Sequence, residues 1–350
     1  MWKKLVETIA NIGILFFCVQ TEFMIFYKLK GVGDFFRILW KYESTSGIYG
    51  IITKIYDECN YGKTILWVSF FIILFFIFGL LYILLKKFVR KKLLIIEHLS
   101  FQNMNFTYVD EELKEYNCKK YRIDQCEILN STTLGLNEKV KKIIESVNYE
   151  TKKIIEYIKK EYQVGYAGIA NIPAIFMLGY ELGDENKKLL FHKRRDRASD
   201  DDFHILQDEE RIYDLKVLET ENNENENGKL LVLIEFTQPI GDEDIKDVLE
   251  NNDYILKYSL GVINYDVVDT AKQINEYANK IVSDIAKIQK QSNIYEIKIC
   301  VAASSAFIFA LGTKFSKTQN IDTIIYQFKN NTYPWGINVT KGIPVITNEI

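Results

Sequence analysis

The stretches "YAGIANIPAIFMLG" (Tyr166–Gly179) and "ICVAASSAFIFALG" (Ile299–Gly312) stand 133 residues apart and share one plan. Each reads as a buried strand, a break of small and polar residues, and an apolar helix ending in Leu-Gly. Registered on the Leu-Gly pairs, Ile175 coincides with Ile308 and Phe176 with Phe309. The surroundings agree. Glu138–Gln163 has the spacing of one or two amphipathic helices, and "KKLLFHK" (Lys187–Lys193) follows the first repeat as a strand. Asp269–Gln291 carries Ile274, Tyr277, Ala278, Ile281 and Ile285 on one helical face, and "DTIIYQFK" (Asp322–Lys329) is the strand after the second repeat. The recurring order predicts an α/β domain over 138–350, built from duplicated Rossmann-like halves at about 138–220 and 230–350. Between them "TENNENENGK" (Thr220–Lys229) reads as an exposed loop, and residues 93–137 read as a connector.

The amino-terminal quarter has a different character. "ILWVSFFIILFFIFGLLYILL" (Ile65–Leu85) runs for 21 residues without a charge, enough to cross a hydrocarbon core as a helix. The basic run "KKFVRKK" follows at once, which by the positive-inside bias puts the next domain in the cytoplasm. A further span is expected at about 5–27, read as a retained helix because no small-residue cleavage site ends it. Glu22 lies within it, a costly residue in a bilayer and therefore a candidate for an interface or a pore lining. Between the spans, Val32, Phe35, Phe36, Leu39 and Trp40, and then Ile48, Ile51, Ile52, Ile55 and Tyr56, have the spacing of two helices lying on the membrane surface. Residues 1–92 thus read as a two-helix transmembrane region.

Charge divides along the same line. Up to Lys92 there are 13 basic against 6 acidic residues, and beyond it 31 against 41. An acidic body argues against bulk nucleic-acid binding, which needs clustered cations. The five cysteines are scattered and never form a CxxC pair, as expected of reduced structural thiols.

A strand entering a helix through a small-residue turn is where open α/β sheets hold ligands, because the helix start presents unpaired N–H groups. The first turn offers Asn171 and Pro173, and the second Ser304 and Ser305. No full G-x-G-x-x-G and no G-x-x-x-x-G-K-[ST] is present, which disfavours dinucleotides and NTP hydrolysis. The acidic body's dense basic cluster, "FHKRRDR", supplies His192, Lys193, Arg194, Arg195 and Arg197 as phosphate donors. At the matching place in the second copy, Tyr326, Lys329, Tyr333 and Trp335 are candidates for base stacking. With three histidines (His98, His192, His204), no HExxH and no G-x-S-x-G setting, the chain shows no catalytic constellation. The run Asp200-Asp201-Asp202 is most simply a solvated loop, so neither metal nor cofactor is expected.

"YAGIANIPAIFMLGYELG" with "LLFHKRRDR", and "ICVAASSAFIFALGTKF" with "IIYQFKNNTYPWGINV", together resemble the SAVED domain, a sensor of two fused CARF-like halves found in bacterial CBASS antiphage systems. The resemblance covers about Ile95–Val339. It implies a transmembrane SAVED effector in the bacterial inner membrane, with a cytoplasmic sensor that binds a cyclic di- or trinucleotide made by a linked nucleotidyltransferase. It further implies a homo-oligomer on activation and a membrane segment that then disrupts the lipid, with no enzymatic activity. Two other readings stay open: a membrane-anchored CARF-like ring nuclease that degrades the cyclic oligonucleotide, and a tethered receptor signalling to a partner protein.

Overall fold

The computed structural model describes residues 74–79, 81–82, 90–102, 104–186, 188–193, 202–210, 213–219, 228–315 and 321–347. The chain divides into two compact units, 1–90 and 91–350. In the first, residues 74–79 and 81–82 are helical and leave Phe75, Phe76, Ile77, Phe78, Leu81 and Tyr82 exposed. Among the described residues no helix is long and apolar enough to cross a membrane. The expected span at 5–27 with Glu22, and most of that at 65–85, lie outside the described residues.

The second unit holds two sheets. In the first, β1 (Lys91–Leu99), β2 (Tyr116–Asp124), β3 (Gln163–Ile169) and β4 (Leu189–Lys193) are parallel, and β5 (Phe203–Ile205) joins β4 antiparallel, in the order β2-β1-β3-β4-β5. The second sheet comprises β6 (Leu215–Glu219), β7 (Lys229–Glu235), β8 (Tyr254–Leu260), β9 (Glu296–Ala302), β10 (Asp322–Lys329), β11 (Thr332–Asn338) and β12 (Ile343–Ile346). Its order is β12-β11-β10-β9-β7-β8-β6, with β8, β7, β9 and β10 parallel. The parallel strands therefore run 2-1-3-4 in one sheet and 8-7-9-10 in the other, the same path traced twice. β6 reaches the second sheet antiparallel to β8, from the chain between the halves. The first half begins at β1, so residues 93–137 are not a connector: they carry β1 and β2.

Each path has one long amphipathic helix and one short apolar one. The long helices are α3 (Leu136–Lys159), after α1 (Asp110–Leu113) and α2 (Cys126–Asn130), and α6 (Ala271–Gln291), after α5 (Asp242–Ile245). Val140, Ile143, Ile144, Val147 and Ile154 form the buried stripe of α3, and Ile274, Tyr277, Ala278, Ile281 and Ile285 that of α6. The short helices are α4 (Ile172–Leu182) and α7 (Ser305–Lys314), buried nearly all round because they pack on each other and on the opposite half's strands. α4 lies against β10 and β11, and α7 against β3 and β4. The ring of Tyr166 on β3 stacks on Phe309 of α7 at 4.1 Å.

The duplicated glycines explain the helix contact. A Cβ on Gly179 would lie 2.2 Å from the Phe309 carbonyl oxygen, and one on Gly312 would lie 2.3 Å from that of Phe176. The repeated Leu-Gly is thus a reciprocal close crossing of α4 and α7, with each glycine seated on the other helix's backbone.

Candidate functional site

Where β1, β2 and β3 end, the first half collects a buried polar chain. Their carboxyl ends are level, with Leu99 opposite Asp124 on one side and Ile169 on the other. Tyr166 Oη lies 3.4 Å from His98 Nδ1, and His98 Nε2 lies 3.2 Å from Gln125 Oε1. Ser100 Oγ donates to the same Gln125 oxygen at 3.2 Å and accepts the Asn171 backbone N–H at 3.2 Å. Asn171 is the N-cap of α4. Gly168 makes room for the Tyr166 hydroxyl, since a Cβ there would meet it at 2.1 Å.

Burial decides the charge state of this chain. His98 is fully buried, which pulls its pKa from 6.5 down to about 4, the Gln125 bond opposing only part of the shift. The ring is therefore neutral at physiological pH, and its partners fix the tautomer: Nε2–H donates to the Gln125 oxygen and Nδ1 accepts from Tyr166. His98 and Ser100 both direct hydrogen bonds at Gln125, which turns its amide nitrogen away from them. That nitrogen, Gln125 Nε2, and the side-chain nitrogen of Asn171 are buried without a hydrogen-bond partner. An orphaned buried donor costs roughly 1–3 kcal/mol, so two on separate strand-to-helix turns, after β2 and after β3, joined through Ser100, mark a place built for acceptors.

The second half touches this turn. Gln327 of β10 accepts the Ile172 backbone N–H at 2.9 Å through Oε1, satisfying an N–H that the first turn of a helix leaves open. The second half's own turn is different. Ser304 Oγ caps α7 by accepting the Phe307 N–H at 3.3 Å. Strand pairing sets Ile234 opposite Val301 as it sets His98 opposite Gly168, and Phe236 N–H bonds Ala302 as Ser100 N–H bonds Ile169. The positions of His98, Ser100 and Gln125 are thus filled by Ile234, Phe236 and Leu260, all buried. The Phe236 ring meets Phe307 edge-on at 4.9 Å and closes the second crevice with apolar contacts.

The sequence-chosen residues divide accordingly. Asn171 and Pro173 are buried at the start of α4, and Ser304 and Ser305 are half-buried at the start of α7. His192 is paired 2.7 Å from Asp266, so it fastens β4 to the chain after β8. Lys193 ends β4, while Arg194, Arg195 and Arg197 lie outside the described residues. Tyr326, Tyr333 and Trp335 require a correction: all three are buried, and their rings form core in place of stacking platforms. The cause is the β10–β11 hairpin, turned by Asn330 and Asn331 at φ 53° and 59°, which directs these rings into the packed sheet. Lys329, at the same hairpin, is exposed. Sequence reasoning missed His98, Ser100 and Gln125. A separate cavity of about 340 Å³ is lined by Glu111, Glu112, Glu115 and Asp208 with Lys188, an acidic lining unsuited to phosphate.

Comparison with known proteins then bears on the whole unit. Residues 148–339 match the family described as "SMODS-associated and fused to various effectors sensor domain", or SAVED. The chain belongs to the SAVED family. Its fold is similar to that of the Acinetobacter baumannii Cap4 SAVED/CARF-domain containing receptor solved with the cyclic trinucleotide 2'3'3'-cAAA, at 16% identity and TM-score 0.44 over 72% of this chain and 51% of that one. The same receptor with 3'3'3'-cAAA gives 16% identity and TM-score 0.45 over 73% and 51%. The Moraxella osloensis Cap4 receptor gives 14% and 0.41 over 69% and 49%. This SAVED chain spans about half the length of those receptors. No curated protein matches it.

Proposed function

We propose that this SAVED protein is a membrane effector of bacterial antiphage defence that binds a cyclic oligonucleotide in the first half's crevice. The observation that carries the reading is the pair of orphaned amide donors, Gln125 Nε2 at the start of α2 and Asn171 Nδ2 at the start of α4, in a sensor-family chain. Phosphate oxygens and base edges are rich in the acceptors these donors lack. The ligand bridges the halves, with Ser304 and Ser305 offering hydroxyls from the second turn and Lys193, Arg194, Arg195 and Arg197 neutralising phosphate. Binding drives homo-oligomerisation, and the apolar amino-terminal segment then disrupts the inner membrane. A linked nucleotidyltransferase supplies the ligand.

Thermal-shift screening of the full chain in detergent against cyclic di- and trinucleotides, beginning with the two cyclic triadenylates named above, tests the binding step. Asn171→Ala should weaken the best ligand about tenfold, the size of one lost hydrogen bond to a charged group, with no loss of thermal stability. No shift with any ligand would remove the reading. Dye release from vesicles holding the chain alone, triggered by ligand, tests the membrane step, and Glu22→Gln asks whether that carboxyl takes part. Recovery of cleaved ligand would replace the effector by a ring nuclease.

A further inference from the structure

At the end of the first sheet opposite the crevice, the amino ends of β1, β2 and β3 meet the carboxyl end of α3. Lysines and tyrosines alternate there. Lys91 Nζ lies 5.9 Å from the centre of the Tyr116 ring and Lys92 Nζ 5.7 Å from that of Tyr162. Lys119 and Lys160 approach the same Tyr157 ring at 4.6 and 5.8 Å. Lys92 Nζ also donates to the Lys160 carbonyl at 3.2 Å, which ties β1 to the end of α3. All four lysines are exposed, with their ammonium groups held over the rings at the protein surface. Between residues 152 and 161, α3 and the residues after it carry four lysines against two glutamates. β2 is the outer strand, so nothing in its own sheet covers this side.

The second half does not repeat this surface. At its corresponding end Lys298 is buried, with Nζ 3.0 Å from Asp253 and 2.7 Å from Glu250. Lys229, Tyr254 and Tyr295 also lie at that end, but its lysines are paired with carboxylates, Lys229 with Glu250 and Glu296. Among the described residues, exposed lysines over tyrosine rings therefore mark this end of the first half, and the duplicated fold does not require them. Its place in the chain suggests its use. The apolar run ends at Leu85, six residues before Lys91, and those between include three more basic residues, Lys86, Lys87 and Arg90. Six residues reach at most about 20 Å. Lysine interleaved with tyrosine is the chemistry of the membrane–water interface, where rings sit at headgroup depth and cations meet anionic lipid.

The geometry points to a lipid-facing surface: the lysine and tyrosine base of the first half binds the anionic headgroups of the membrane that holds the amino-terminal segment. This rests on the membrane reading above. Each basic side chain near an anionic surface contributes about a fivefold preference, screened by salt. The ligand crevice and the lipid contact then occupy opposite ends of one sheet.

The test reconstitutes the full chain in vesicles of phosphatidylcholine, with and without phosphatidylglycerol, and measures acetylation rates of individual lysines by mass spectrometry. Lys91, Lys119 and Lys160 should be labelled several-fold more slowly in the anionic vesicles, and Lys246 and Lys287 on the second half should not change. High salt should abolish the difference, and so should Lys119→Glu with Lys160→Glu, two exposed changes whose folding is checked by thermal unfolding. Equal labelling in both vesicles overturns the proposal, as does protection by single-stranded DNA and not by lipid. Flotation with an alkaline wash separates the two readings. Salt-sensitive flotation on anionic vesicles alone would keep this surface and remove the membrane span, whereas wash-resistant flotation with equal labelling would keep the span and remove the surface.

Discussion

The two halves of the sensor trace the same strand path and cross at reciprocal glycines, yet they differ in the polar groups they bury. The first keeps His98, Ser100, Gln125 and Asn171 where its strands end, and leaves two donors unmet. The second fills those positions with Ile234, Phe236 and Leu260 and buries an ion cluster around Lys298 where its strands begin. Duplication preserved what the backbone needs, namely strand order, turn and helix crossing. Side chains at the strand ends, which the backbone does not constrain, were free to specialise. The first half holds the polar chain at its crevice, and the second supports its strand starts with the buried Lys298–Asp253 pair.

The largest expected effect removes that support. Lys298→Met would strip Asp253 of a buried cation and destabilise the protein by about 3–5 kcal/mol, measured as a fall in urea midpoint. Adding Asp253→Asn should recover part of the loss. If Lys298→Met alone is neutral, the second half's stability does not depend on this cluster.

Next comes the acid response of the first half. His98 titrates at about 4 when folded and 6.5 when unfolded, so between these values the unfolded chain holds a proton that the folded chain does not. Stability therefore falls as pH drops from 6.5 towards 4 and levels below that, by about 3 kcal/mol in all. His98→Gln should flatten this part of the stability curve relative to wild type. A parallel curve would mean that His98 is not the titrating group.

A smaller effect asks how symmetrical the crossing is. Gly179→Ala and Gly312→Ala should each destabilise by about 1–3 kcal/mol, against the usual helix gain from alanine, because each new Cβ meets a carbonyl oxygen. Equal losses would sharpen the picture of a two-fold joint, and a loss at one site only would break it. Smallest is the contrast of caps. Ser304→Ala should cost about 1 kcal/mol, since its hydroxyl caps α7. Asn171→Ala should leave stability near wild type because its side chain makes no cap bond.

The repeat was legible in the sequence because helix periodicity and the Leu-Gly pairs are local signals. The strands "VGYAGIA" and "DTIIYQFK", the long helices and the two helix starts lie within a few residues of their expected places. β1 and β2 were not legible. "LLIIEHL" is apolar without a period, as befits a strand covered on both faces, and "YNCKKYRID" is a polar outer strand whose partner, β1, starts 25 residues earlier in the chain. Missing those strands meant missing the site, since His98, Ser100, Gln125 and Asn171 meet only when three parallel strands align. The one local signal was His98 itself, a titratable residue closing an apolar run. Tyr326, Tyr333 and Trp335 misled in the other direction, because an aromatic segment near a turn looks the same whether its rings face a ligand or the core.

The glycine crossing of α4 and α7 makes a fulcrum. Backbone seated on backbone resists sliding, since any slip drives a carbonyl into the facing helix. Asn171 and Ser304 each stand eight residues from their glycine, a lever arm of about 12 Å. A rotation of about ten degrees at the joint would carry each turn roughly 2 Å, about the difference between a hydrogen bond made and one missed.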